Sequence, residues 1–237
     1  MRFIYISIIV FLTVSCSVSK SLQEDLNKSK VSLGYLHDSN ISNCPKTNSM
    51  IVKLNNNQLD TISIVSTNNR LILPLIIFYY FETNLNVKLG QNSIQQQYND
   101  FFMGSFITET KRSGCFNIAN YNSNDSIFML ELTIDTCKTI SKYYRRVTIF
   151  ANLTREEMGF PSETYLQVST KLTRGNIQIA NKTYVVRRIQ PFLNIHSASF
   201  DKLRADFATN MVESLSLSTK QCIEDIINDL NITILKK

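Results

Sequence analysis

Between Ser199 and Leu230 the apolar residues Leu203, Phe207, Met211, Leu215, Cys222, Ile226 and Leu230 fall on one helical stripe. A stripe of that length marks an amphipathic helix, and with 43% hydrophobic residues the chain is neither disordered nor collagen-like, mucin-like or a coiled coil. At 1.5 Å per residue the segment would measure about 48 Å, more than a domain of this size spans. A bend or break is therefore expected near Ser216 to Thr219, where hydroxyl residues lower helix propensity.

Much of the rest of the chain reads as strands. Phe128, Leu130, Leu132 and Ile134 alternate with Met129, Glu131, Thr133 and Asp135, the period of a half-buried strand. Val147, Ile149 and Ala151 mark a further strand, and Leu166, Val168 and Leu172 another. Gly175-Asn176 then makes a two-residue hairpin turn into Ile177 to Val186. Upstream, Met50 to Leu54 and Thr61 to Ser66 read as short strands. Leu71 to Phe81 is apolar or aromatic throughout except Pro74, so a long, buried, bent strand is expected, with a helix as the alternative, and Phe78, Tyr79, Tyr80 and Phe81 are expected to pack in the core rather than line a lipid or peptide groove. Ser93 and Gln96 form a capping box. Ile94, Tyr98, Phe101, Phe102 and Phe106 follow at helical spacing, and Lys111-Arg112 before Ser113-Gly114 closes that helix. Cys115 to Ala119 is expected to pair with Ser126 to Thr136 as a hairpin turning at Tyr121 to Asp125. The order strands, helix, about five strands, helix predicts one α+β domain over residues 49–237. Its sheet should be mostly antiparallel, with two amphipathic helices packed on one face.

The start of the chain has a different character. Met1-Arg2 precedes Phe3 to Val14, a run broken only by Ser7 and Thr13. As a helix it would reach about 18 Å, too short for the ~30 Å hydrocarbon core, and so reads as the apolar region of a signal peptide over 1–15. Ser15-Cys16 resembles the lipobox of bacterial lipoproteins, whose Cys receives diacylglycerol before cleavage. Thr13 stands where that family favours Leu. The rival is cleavage after Ser17, giving a soluble secreted protein. Residues 16–48 are Ser- and Asn-rich and are expected to be a tether, with one helix-like piece at Leu22 to Leu26.

In an oxidising envelope Cys44, Cys115, Cys137 and Cys222 allow two disulfides. Taken as that hairpin, Cys115 lies ~24 Å from Cys137, beyond bonding reach, which leaves Cys44 with Cys137 as a candidate pair and free buried thiols as the alternative. The spacing contains no CxxC, and no metal site or cofactor is expected. The net charge of +6 is modest. Lys142, Arg145, Arg146, Arg187 and Arg188 are candidate contacts for an anionic surface, although solvated strand faces are the simpler account of them. The export signal argues against nucleic acid.

Catalytic patterns are sparse. There is no G-x-S-x-G, H-E-x-x-H, G-x-G-x-x-G or P-loop. His37 lies in the tether and His196 before the last helix. Glu156-Glu157, expected in a loop from Asn152 to Thr164, and Glu131 with Asp135 are the only close carboxylate sets, so an acid-catalysed hydrolase is a secondary reading.

The helix ending Lys111-Arg112-Ser113-Gly114, the following Cys115-Phe116-Asn117-Ile118, the meander and the long last helix resemble the auxiliary lipoproteins of ABC-type envelope transport and the LPS-assembly lipoproteins. Leu73-Pro74-Leu75, entering an aromatic strand, is similar to Bacteroidota-type lipoproteins. The resemblance spans roughly Leu71 to Leu230. It implies a non-enzymatic accessory or binding subunit at the outer membrane, held by a lipid on Cys16 and working with an envelope protein or lipid. A surface-exposed structural lipoprotein is the remaining alternative.

Overall fold

The computed structural model describes residues 19–26, 48–55, 63–73, 78–89, 98–114, 116–119, 127–150, 152–192 and 199–235. The leader, Cys16, Cys44, Cys115, His37, His196 and the capping box at Ser93 lie outside them.

The chain is α+β, built on one strand that acts as a spine. The strands are β1 (Asn48–Asn55), β2 (Ser63–Leu73), β3 (Phe78–Leu89), β4 (Phe116–Ile118), β5 (Phe128–Phe150), β6 (Asn152–Gly159), β7 (Ser162–Arg174) and β8 (Ile177–Gln190). β5 has 23 residues and pairs with four of the others. Its first half lies between β1, which runs parallel to it, and antiparallel β7. Its second half lies between antiparallel β3 and β6. β4 extends the sheet beyond β1, β2 beyond β3 and β8 beyond β7, and the sheet stays open. The two strands expected around Leu130 and Ile149 are thus one. The basic stretch between them alternates faces just as the apolar stretches do, so the strand runs on through it.

A bulge keeps both halves of β5 in phase with the core. Ile134 pairs with Val168 and Thr136 with Gln167, leaving Asp135 unopposed. Before the bulge Phe128, Leu130, Leu132 and Ile134 are buried; after it the buried set is Thr139, Ser141, Tyr143 and Arg145. The extra residue shifts the alternation by one, as bulges do. Asp135 is held there by Ser169 Oγ, which donates to its carboxylate at 2.5 Å.

Three helices occur among the described residues instead of the expected two: α1 (19–26), α2 (Tyr98–Ser113) and α3 (Phe200–Leu235). α1 contains the helix-like piece expected at Leu22 to Leu26, but its Leu22 and Leu26 are buried in the core, so this part of the stretch is no tether. α2 buries Tyr98, Phe101, Phe102 and Phe106 and stops at Gly114, whose φ of 68° suits a residue without a Cβ. α3 begins at Ser199, whose Oγ accepts from Lys202 N at 3.2 Å. Every residue of its predicted stripe is buried.

The expected break in α3 does not occur. The helix continues for 36 residues, about 54 Å. It crosses the hydroxyl-rich stretch because those hydroxyls are satisfied locally: Ser218 Oγ donates to Ser214 O and Thr219 Oγ1 to Leu215 O. The length argument fails as well, since a 23-residue strand offers a surface of roughly 75 Å.

Two further expectations are corrected. β4 pairs parallel with β1, so the hairpin between Cys115 to Ala119 and Ser126 to Thr136 does not form, and the reach argument based on it lapses. Leu71 to Phe81 is no single buried strand: β2 ends at Leu73 and β3 begins at Phe78, each antiparallel to the other, Leu71, Ile72 and Leu73 are about half or more exposed, and of the four rings only Phe81 is fully in the core.

Candidate functional site

The densest polar cluster lies where α3 begins. Glu157, on β6, has a fully buried carboxylate. Tyr143 OH donates to it, as do Arg155 Nε at 2.8 Å and Arg155 Nη2. Arg145 Nε lies 3.5 Å and Arg204 Nη1 3.6 Å from its oxygens. Arg204 also pairs with Asp201 and, at 3.5 Å, with Asp25 of α1. Burial and the hydrogen bond to Glu157 raise the Tyr143 pKa. Burial and neighbouring Arg155 lower that of Arg145; at Arg204 burial also disfavours the charge, but Glu157 and its neighbours outweigh it and raise the value. A carboxylate held by this many donors is a clamp joining α1, α3, β5 and β6, with no oxygen left for a substrate.

Gly159, two residues on, permits the packing beneath the clamp. A Cβ there would sit 2.7 Å from Phe192 and 2.8 Å from Phe207. Phe207 in turn meets Tyr143 edge-on at 5.2 Å.

The face of the sheet turned away from these groups carries Lys138, Ile140, Lys142, Tyr144 and Arg146 of β5. Where β6 gives way to β7 at Phe160-Pro161, a cleft of about 350 Å³ opens, lined by Val65, Val87, Lys88, Ile140, Lys142 and Phe160. Ser141 Oγ braces its wall by donating to Phe160 O at 2.9 Å and to Pro161 O at 3.0 Å. Of the expected anionic contacts, Lys142 and Arg146 lie on this outer face, and Arg187 is exposed and bonded to Glu163 at 2.5 Å. Arg145 is corrected: it is only 6% exposed and faces Glu157 on the helix side. Arg188 pairs with Thr164, which is buried, so it too shares the helix side and is half-buried.

Neither carboxylate set forms a catalytic pair. Glu156 and Glu157 are neighbours on a strand, not in a loop, so they point to opposite faces. Glu131 and Asp135 are four residues apart on β5, roughly 14 Å at 3.4 Å per residue. Cys137 has a free thiol that burial pushes up to about 12, and Cys222 is also free, its pKa raised by burial. Tyr98 OH and Thr219 Oγ1 share a 2.8 Å hydrogen bond, and burial raises the Tyr98 pKa well above its usual value. Among the described residues no three His, Cys, Asp or Glu side chains are grouped to hold a metal ion. No described helix is long and apolar enough to cross a membrane.

Beyond the start of α3 the sheet continues as a four-stranded tip. Leu73, Phe78, Phe150 and Asn152 lie in one row; Ile72, Tyr79, Ile149 and Leu153 in the next; then Leu71, Tyr80, Thr148 and Thr154. Ile72, Phe150 and Leu153 are 61, 56 and 70% exposed. The signal for this tip was present in the sequence as the run from Leu71 to Phe81, but apolar content alone suggested a core.

No family model and no curated protein matches the chain. Among solved structures it is similar to the crystal structure of protein XCC0632 from Xanthomonas campestris, of the family DUF330. The identity is 13% and the TM-score 0.43, over 84% of this chain and 95% of that one. A likeness of that size assigns neither a function nor a site.

Proposed function

We propose that this chain is a non-enzymatic accessory lipoprotein of a bacterial cell envelope, moored at the outer membrane by a lipid on Cys16, that holds a protein partner against the outer face of its sheet. The observation that carries the reading is that face itself. Val65, Ile140, Val185 and Ile189 are 58, 41, 55 and 64% exposed there, set among Lys88, Lys138, Lys142 and Arg187. Apolar groups ringed by charge on an uncovered sheet are typical of a contact surface. β8 has no neighbour beyond it among the described strands, so a partner strand could add to that edge.

The hydrolase reading is weaker, because the acidic residues it needs are split between two faces or lie too far apart. A photo-crosslinking residue at Ile140 or Val185, in cells of the source organism, should yield a discrete adduct that the same residue at exposed Glu213 does not. Absence of any adduct from both face positions would remove the partner. Intact mass of the native product tests the mooring separately: an unlipidated N-terminus would remove it.

A further inference from the structure

We infer that the bare end of the sheet is a membrane-dipping tip that enters an anionic lipid surface. Four observations converge on it. First, the tip presents apolar groups on both faces: Ile72, Tyr79, Ile149 and Leu153 form a row on the helix side, and Leu73, Phe78 and Phe150 lead one on the other that ends in Asn152, with Phe78 edge-on to Phe150 at 6.0 Å and the mixed row Leu71, Tyr80, Thr148 and Thr154 behind it.

Second, its height fits an interface. α3 reaches the row containing Arg155, where Phe200 lies under that guanidinium at 4.3 Å. Three residue levels extend past this point, about 10 Å at 3.4 Å per residue. Apolar faces of interfacial proteins enter lipid to roughly 5–10 Å.

Third, the two rows below carry three arginines: Arg70 and Arg155, the latter bonded to Glu157, and Arg146, which has Glu82 and Glu156 opposite it and pairs with Glu156 at 3.4 Å. Arg70, Phe81, Val147 and Arg155 are in register, with Arg70 over the Phe81 ring at 5.2 Å; on the other face Arg146 lies over Tyr80 at 5.8 Å and Tyr144 at 5.5 Å. Aromatic rings with arginines behind an apolar end match the order of acyl chain, headgroup boundary and lipid phosphate.

Fourth, the C-terminal turn of α1 is tied to the same end. Asp25 of α1 pairs with Arg204 in the first turns of α3. Residue 19, where α1 starts, is six residues away, about 9 Å along the helix, and Cys16 precedes it by three more. Cys16 lies nine residues before Asp25, so a lipid on Cys16 is tethered within reach of this end and far from the end near Gly175, and we infer that it holds this end against the bilayer. That orientation rests on the proposed mooring; the tip chemistry does not.

The chain contains no Trp, so one introduced residue reports alone. Full-length protein carrying Ile72→Trp, reconstituted into vesicles of phosphatidylglycerol with brominated phosphatidylcholine, should show blue-shifted emission and lose half or more of its intensity to bromine. Val185→Trp, on the far half of the sheet, should do neither. Arg70→Gln with Arg146→Gln should lower the quenching at Ile72→Trp and erase its preference for phosphatidylglycerol over pure phosphatidylcholine. The tip is refuted if Ile72→Trp stays unquenched while the protein co-sediments with the vesicles, or if its emission shifts only when an envelope protein is added. Failure of the mooring reads out differently, as a native mass without lipid, and leaves the quenching assay informative.

Discussion

The two ends of β5 show what a helix does for a sheet. Around Leu130 and Leu132 the strand is covered by helices, flanked on both edges and fully buried on its inner side. Around Ile149 and Phe150 it is flanked just as well, by β3 and β6, yet no described helix reaches that far; Ile149 is only half-buried, and Phe150 and the neighbouring Leu153 stand in solvent. Hydrogen-bond pairing is equal at the two ends, so the difference lies in burial alone. Stability should concentrate in the covered half and leave the tip free to be used.

The sharpest way to break that contrast is to hollow the covered half. Phe207→Ala removes a buried ring packed on Tyr143 and Phe192, and should cost about 3 to 5 kcal/mol in urea unfolding. A cost near that of a surface change would mean α3 does not hold the sheet. Next comes the clamp: Glu157→Gln leaves Arg145, Arg155 and Arg204 facing one another around a neutral group, at about 3 kcal/mol. If instead the variant is as stable as the parent, the cluster is a solvated ornament.

Alkaline pH probes the same half without mutation. The Cys137 thiol and the Tyr98, Tyr143 and Tyr184 phenols all have raised folded-state values, mainly through burial. Raised values mean that the neutral forms are favoured by folding. That stability is complete below the unfolded values near 9 to 10 and is lost as pH climbs past them toward the folded values, about 12 for Cys137. Urea midpoints measured from pH 7 to 11 should hold steady to about 9 and then fall, and a flat profile would contradict the enclosure of these groups. Native protein at pH 8 should accordingly react slowly with thiol reagents at Cys137 and Cys222 and quickly once unfolded.

Smaller effects sharpen the boundary. Tyr98→Phe removes the hydroxyl bond that ties α2 to α3 and should cost about 1 kcal/mol, measured by the same unfolding curve. Leu153→Ser, at the tip, should change stability by no more than about 0.5 kcal/mol, because the side chain is 70% exposed. A large loss there would show that the tip is packed against something in the folded protein.

Periodicity carried much of this fold on its surface. The stripe of α3, the rings of α2, the Ser-Gly stop and the Gly175-Asn176 turn all act through neighbours a few residues away, and such signals survive in a single sequence. What escaped reading depends on distant partners. Ser218 and Thr219 look like helix breakers until their hydroxyls are seen bonded within the helix, and β4 looks like a hairpin arm until β1 is found to take its edge. Leu71 to Phe81 reads as core because composition records how apolar a segment is, not whether anything covers it. For the functional surface, Lys142, Arg146 and Arg187 were legible as exposed basic residues. Arg145 was not, since the buried carboxylate that claims it is twelve residues away on another strand.

The single unopposed Asp135 sets the reading frame of the whole distal half. Were it deleted, the ladder could close without a kink, and every side chain from Thr136 onward would exchange faces: Tyr143 and Arg145 would go to water, and Lys142 and Arg146 would be driven under α3. One residue thus acts as a comma in the strand, and a one-residue slip there would turn half of the sheet inside out while leaving its composition almost unchanged.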